Sequence, residues 1–363
     1  MDNKRNIVKQ LKIISAFLLF SFTLIVVAEV GIRIFYPQMY KTTYLDEFSP
    51  GIEDEQLGTI FAPNATWIIE RPEFKVTHYT NSQGLADKTN HIIPKPKGLK
   101  RILVCGSSNT FSEGVEQDEG WPAILESELL RKGYNVDVVK AGMFAFDTAS
   151  TVLFMERIFD KYQPNYVVIS VDSAVILTNA PMSKFQEKKK QSDYNFKIAH
   201  KPKKDLHLIS LIKRIIRMND IVYSHYNMKK GWAPIFEVDG EFRRNQIEIT
   251  KELLLRAKEF VSKKGASLVV LSIPENTQTL IKANNIQIEN IDPEINDKAL
   301  AGFSKSQDIF WLSTLTPLSE NYKRERKKLY HRLDGHLNRN GHRIIGEFLS
   351  DQFEGLFKDS KTK

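Results

Sequence analysis

The chain reads as an α/β protein: a three-layer α/β/α sandwich on a parallel sheet of about five strands, behind an apolar N-terminal helix. Three observations carry that expectation. From residue 101 onward, short apolar runs alternate with segments of helical spacing, the pattern of buried strands covered by helices. The runs are continuous rather than alternating with polar residues, as expected of strands buried on both faces. The first forty residues stand apart, with a long uncharged stretch behind a cluster of basic residues.

Lys4, Arg5, Lys9 and Lys12 precede residues 13–28, which include no charged side chain, and apolar character continues past Glu29 through Val30 and Ile32. Taken that far, the segment approaches the roughly 20 residues of a spanning helix. Basic residues ahead of it predict a cytoplasmic N-terminus and an exported body. Val26-Val27-Ala28 loosely fits a small-residue cleavage site, so a signal peptide is the alternative, and it exports the body equally. The division expected is a cytoplasmic stub and transmembrane anchor (or signal peptide) over 1–35 and an irregular or β-rich lead-in over 36–100. A catalytic-sized domain over 101–357 holds a basic insertion at 181–231, and a short tail covers 358–363.

The lead-in is punctuated by Pro37, Pro50, Pro63, Pro72, Pro94 and Pro96, and no long helical period appears. It offers one plausible strand after Glu73, then a turn around Asn81 to Gly84. Strands are expected at 101–105, 134–139, 166–171, 267–273 and 308–312. Helices are expected at 121–130, 148–162, 246–264 and 340–357, the last with Ile344, Ile345, Phe348 and Leu349 inward. The insertion breaks this alternation. It carries Lys184, Lys188, Lys189, Lys190, Lys197, Lys201, Lys203, Lys204, Lys213, Arg214 and Arg217 with few acids, and supplies much of the net charge of +8. Its stretch "LHLISLIKRIIRM" (206–218) has amphipathic spacing. Such a helix either packs as a lid on the domain or meets anionic groups, whether lipid headgroups or substrate.

Composition excludes some classes. An apolar fraction of 42% and a charged fraction of 26% belong to a globular chain, not a disordered one. The single cysteine, Cys105, excludes a disulfide framework and a thiolate metal cluster, and its apolar surroundings predict an inert thiol. No cofactor, metal ion or nucleic acid is expected, the last because an exported chain shows no binding module for it.

Ligands of a parallel α/β sheet gather at the carboxyl ends of its strands. Ser107 and Ser108 fall there, after the first strand and before a helix-bound segment, where backbone N–H groups point outward and can stabilise an oxyanion. A serine nucleophile needs a base held by an acid. Among eight histidines, His336 has the best local setting, with Asp334 two residues before it across Gly335. Asp334, His336 and Asn338 also suit a plain turn that starts the last helix. His331 and His342 are weaker candidates, His342 because it falls within that helix.

These two stretches resemble the SGNH (GDSL-type) hydrolases. The opening block matches at Gly106, Ser108, Thr110, Gly114, Val115, Trp121 and Pro122. The closing Asp-x-His-x-Asn block matches at Asp334, His336, Asn338 and Gly341. The lead-in "TNSQGLAD" and the anchor resemble those of membrane-anchored bacterial members. The resemblance implies a flavodoxin-like SGNH fold, with Ser108 as nucleophile, His336 as base, Asp334 as its orienter, and backbone N–H groups of Ser108 and Ala145 facing the oxyanion. Two departures stand out. Lys140 and Ala145 replace the Asn and a Gly of the second block. Ala174 stands where the third block supplies an Asn side chain, and one lost oxyanion donor costs about 10²–10³ in rate. Asn179, Asn109 and Lys140 are the residues that could substitute.

The resemblance thus implies an exported, membrane-anchored serine esterase or O-acyltransferase acting on acyl esters, foremost acetyl, of envelope carbohydrate or lipid. Its partners would come from envelope polysaccharide biosynthesis. The alternatives are a degenerate relative that binds glycan or protein without turnover, and a structural envelope protein.

Overall fold

Residues 2–37, 43–45, 51–182 and 206–359 are described by the computed structural model. Helix α1 (Asp2–Phe35) is followed by strands β1 (Thr43–Leu45), β2 (Gly51–Asp54), β3 (Gly58–Phe61), β4 (Thr66–Arg71) and β5 (Phe74–Tyr79). The α/β part comprises β6 (Lys100–Gly106), α2 (Ser108–Phe111), α3 (Trp121–Arg131), β7 (Val136–Gly142), α4 (Thr148–Tyr162), β8 (Tyr166–Asp172) and α5 (Ser173–Thr178). It continues through α6 (His207–Met218), α7 (Asp220–Asn227), α8 (Glu241–Lys263), β9 (Ser267–Ile273), α9 (Asn276–Asn284) and α10 (Ile295–Ser306). Strand β10 (Phe310–Ser313), α11 (Leu315–Glu325) and α12 (Arg339–Asp359) close it. The expected Lys-rich run at 184–204 lies outside the described residues.

The main sheet has five parallel strands in the order β10-β9-β8-β6-β7. The chain leaves β6 for β7 at one edge, then crosses back to β8 on the other side. That reversal opens a crevice between the carboxyl ends of β6 and β8, the switch point where such sheets bind ligands.

Successive strand residues serve opposite faces. Leu103, Cys105, Val167 and Ile169 pack with Val152, Met155 and Phe159 of α4 and Leu253, Leu254 and Val261 of α8. Ile102, Val104, Val168 and Val269 pack with Trp121 and Leu125 of α3 and Ile345, Leu349 and Phe353 of α12. The three layers follow from this two-sided burial. Pro122 in the first turn of α3 removes only an N–H the helix could not have used. Asp147 caps α4 by accepting from the Ser150 N–H at 2.8 Å.

Expected and observed strands differ most at β7, which begins at Val136 instead of 134, because Tyr134 packs its ring on Phe357 and pairing with β6 starts at Lys100↔Val136. The helices α9, α10 and α11 were not signalled by apolar spacing. The lead-in holds more strand than its prolines suggest. β2 pairs with β3, and β4 with both β1 and β5, all antiparallel. Leu57, Phe61, Trp67, Ile69 and Val76 join the same apolar cluster as α4 and α8, so these hairpins are packed into the α/β layer. Trp67 stacks on Phe111 of α2 with ring centroids 5.8 Å apart.

Helix α1 carries an 18-residue stretch of mean hydropathy 2.4 with its side chains largely uncovered. It is long and apolar enough to cross a membrane, and a signal sequence has the same properties.

Candidate active site

Ser108 follows β6 directly and opens the short helix α2. The helix is pressed close to the end of β7: a Cβ on Gly142 would run into the backbone of Thr110 and Phe111. Backbone cannot swing aside as a flexible side chain can, so glycine here fixes how near α2, and with it Ser108, approaches the sheet.

His336 and Asp334 come from the loop before α12. Gly335 takes a φ of +103°, a left-handed conformation that residues with a Cβ adopt only under strain. The loop closes on itself, with the His331 N–H donating to the His336 carbonyl at 2.9 Å and the Gly335 N–H to the His331 carbonyl at 2.8 Å. Asp334 Oδ1 lies 2.5 Å from His336 Nδ1, and His336 Nε2 lies 2.8 Å from Ser108 Oγ. The three residues, 228 positions apart at their widest, therefore form one hydrogen-bonded chain.

A second tier surrounds them, made of residues that no local pattern singles out. Arg71, at the end of β4, pairs with both Asp334 and Glu113. Glu73, in the β4–β5 turn, accepts from three successive backbone N–H groups of the loop: Arg332 at 2.8 Å, Leu333 at 2.6 Å and Asp334 at 3.0 Å. One hairpin thus holds both the acid and the loop that carries it. Glu113 also comes within 3.5 Å of His336 Nε2. Nothing in the spacing of "ERPEFK" announces these long-range contacts.

At the end of β8, Asp172 is buried and accepts hydrogen bonds from Ser107 Oγ and, at 3.4 Å, from Asn109 Nδ2. Its place at the switch point was a signal available in the sequence. Glu275, after β9, accepts from the Ala174 backbone N–H. Burial, reinforced by the Asp172 charge, pushes the Glu275 carboxyl up to about 7. Burial likewise raises Asp172, against the bonds from Ser107 and Asn109.

For His336, burial disfavours the imidazolium, but the Glu113 carboxylate and the Asp334 hydrogen bond and charge outweigh it, raising the pKa to about 9. The same contacts hold Asp334 well below the usual carboxylate range despite its burial, helped by Arg71. His342, within α12 and buried, accepts from the Trp121 N–H at 3.2 Å and is lowered to about 3 by burial. His331 is also lowered by burial and faces the Gly114 carbonyl at 3.0 Å.

Ala145 adopts a φ of +52°, the left-handed turn for which glycine is usually chosen, and lines the cleft beside Ser107 and Ser108. Among the described residues no acceptor faces the backbone N–H of Ser108 or of Ala145. Ala174 also lines the cleft. Of the three candidate substitutes for an Asn there, Asn179 is committed to the Thr148 N–H and Thr250 Oγ1, and Lys140 to Asp87 and Glu126. Asn109 does line the cleft, but its amide bridges Asp172 and the Leu337 N–H.

Glu113, Asp334 and His336 each offer a ligand atom within 4.8 Å of one another, a spacing a cation could use. Arg71, paired with both carboxylates, already supplies the positive charge such an ion would bring. The cleft over these residues holds about 440 Å³, and Arg217, Tyr223, Asn227, Trp232 and Arg332 also line it.

No family model matches the chain, and no curated protein matches it. Among solved structures it is similar to the psychrotrophic esterase EstA from Pseudoalteromonas sp. at 10% identity, over 71% of this chain and 99% of that one, with a TM-score of 0.43. A member of the lipolytic protein G-D-S-L family from Veillonella parvula is similar at 12% identity, over 69% and 94%, with a TM-score of 0.38. The lipase/acylhydrolase from Enterococcus faecalis is similar at 10% identity, over 70% and 96%, with a TM-score of 0.39.

Proposed function

We propose that the protein is a serine ester hydrolase or O-acyltransferase, held in the membrane by α1 with its N-terminus in the cytoplasm, acting on acyl esters of envelope carbohydrate or lipid. The observation that carries this reading is the chain of hydrogen bonds from Ser108 Oγ through His336 to Asp334, set at the sheet's switch point. Serine, imidazole and carboxylate in that order are the parts needed for nucleophilic acyl transfer.

In the reaction, Ser108 Oγ adds to the acyl carbonyl carbon while its proton passes to His336 Nε2. The carbonyl oxygen becomes an oxyanion, and the free N–H groups of Ser108 and Ala145 are the donors to receive it. His336 then gives the proton to the departing alkoxide, leaving the acyl group on Ser108. Water or an acceptor hydroxyl repeats the steps in reverse and frees the serine. Asp334 holds the imidazole with Nδ1–H toward itself, and Arg71 keeps Asp334 ionised and in place.

For the anchor, support comes from the length and exposure of α1 and from the tie between Glu29 and the body through α6. The absence of an Asn side chain at Ala174 favours a second reading, a binding protein without turnover. A serine-directed fluorophosphonate probe and hydrolysis of p-nitrophenyl acetate separate the two. Labelling and turnover that vanish in Ser108→Ala support the enzyme. No labelling and no turnover by the folded protein overturn it in favour of the binding protein.

A further inference from the structure

Helix α6 is amphipathic, yet none of its residues is buried. Ile209, Ile212, Ile215 and Ile216 are exposed at 43%, 46%, 61% and 40%. At 100° per residue they fall on one arc with Leu208 and Leu211, while Ser210, Lys213, Arg214 and Arg217 take the opposite arc. A surface helix of a globular domain normally turns its apolar stripe to the core. This stripe is left uncovered by the described residues.

The neighbour of α6 indicates what covers it. Its first two N–H groups, His207 at 2.9 Å and Leu208 at 2.8 Å, donate to the carboxylate of Glu29 in α1. Glu29 comes directly after the uncharged run 13–28, and also accepts from Arg33 Nε at 2.6 Å. In a helix crossing the membrane, the first charged pair after the uncharged run sits where hydrocarbon gives way to headgroups. α6 therefore begins at that level. Its cationic arc, with no acid from His207 to Met218, suits anionic headgroups. The exposed apolar surface continues into α7 through Ile221 and Val222.

We propose that α6 lies in the interface of the membrane crossed by α1, its isoleucine face among the acyl chains. This rests on the anchored reading above. Arg217, on the other arc, and Tyr223 and Asn227 of α7 line the Ser108–His336 cleft. The cleft consequently opens beside the headgroups, and its substrate class is an ester presented at the bilayer surface rather than one free in solution.

The test uses the full chain in vesicles of phosphatidylethanolamine and phosphatidylglycerol, with nitroxide labels on single cysteines. Cys105 is fully buried and stays unlabelled. Labels at Ile212→Cys and Ile216→Cys should collide several-fold more with oxygen than with a water-soluble nickel chelate, and Lys213→Cys should show the opposite preference. A label at Leu19→Cys reports α1 independently. If Leu19 is immersed while 212 and 216 favour the nickel chelate as 213 does, the interfacial helix is overturned and the anchor stands. Shielding of 212 and 216 from both reagents, or spin–spin broadening between copies, overturns it in favour of a protein partner or a second copy. A Leu19 label outside the bilayer overturns both readings. In a second readout, Ile212→Glu with Ile216→Glu should lower turnover of a vesicle-embedded ester several-fold, leaving p-nitrophenyl acetate turnover unchanged. An equal fall on both substrates overturns the membrane role.

Discussion

His336 stands between two carboxylates, Asp334 and Glu113, and only one of them is needed to orient it. The second has a cost for a base: by favouring the imidazolium it raises the pKa to about 9, and a protonated imidazole cannot take the Ser108 proton. Activity should therefore climb with pH from neutrality toward about 9, where an unperturbed histidine (about 6.5) would already be fully active. Glu113→Gln removes the charge with little change of shape, so the midpoint of the pH–kcat/KM profile should move to lower pH. An unmoved midpoint would mean that Glu113 does not set the basicity of His336. At the oxyanion, Ala174→Asn should raise p-nitrophenyl acetate turnover by up to ~10²-fold, the value of one donor. That gain must disappear when Ser108→Ala is added, because triad members act as a unit.

Among the elements, the β4–β5 hairpin holds the loop of Asp334 and His336 from outside the α/β layers. The Glu73 carboxylate accepts from three loop N–H groups, and a glutamine there would turn an NH₂ donor toward donors. Leaving such groups unsatisfied costs about 1–3 kcal/mol. Glu73→Gln should thus slow fluorophosphonate labelling of Ser108 and lower the melting temperature. Loss of stability with an unchanged labelling rate would reduce Glu73 to a scaffold residue. Gly142→Ala tests the other side of the site. The added methyl meets the backbone of α2, and overpacking of this kind costs about 1–3 kcal/mol, so both stability and labelling should fall.

For the whole molecule, the division of labour between α1 and the body is the testable feature. The two apolar clusters that enclose the sheet draw nothing from α1, so replacing residues 1–34 by a cleavable signal should give a folded domain that turns over p-nitrophenyl acetate. In the full chain, protease added outside the inner membrane should digest the body. Protection of the body would reverse the orientation drawn from Lys4, Arg5, Lys9 and Lys12. An amino terminus at residue 29 in the mature protein would establish the signal-peptide alternative.

Local apolar patterning was enough to specify the layered sheet. Strands such as 267–273 and helices such as 148–162 coincide with the expected residues, because apolar periodicity is a local property of the chain. The sequence by itself also supplied the two stretches that meet at the site, since Asp334, Gly335 and His336 are neighbours whose turn is set by short-range backbone geometry. The folded structure decided what lies beyond that reach. Arg71 and Glu73 are drawn to the loop across separations of 263 and 259 residues, and Glu113 pairs with Arg71 from 42 residues away. No pattern within a stretch records a contact made over such distances. The helices α9 to α11 and the strands of the lead-in escaped for a related reason. Their apolar residues are few, and their packing comes from neighbours supplied by distant parts of the chain. Spacing alone likewise left α6 undecided between lid and membrane contact; the two hydrogen bonds to Glu29 tie it to α1, because the end of a helix takes its partners from whatever the fold places there.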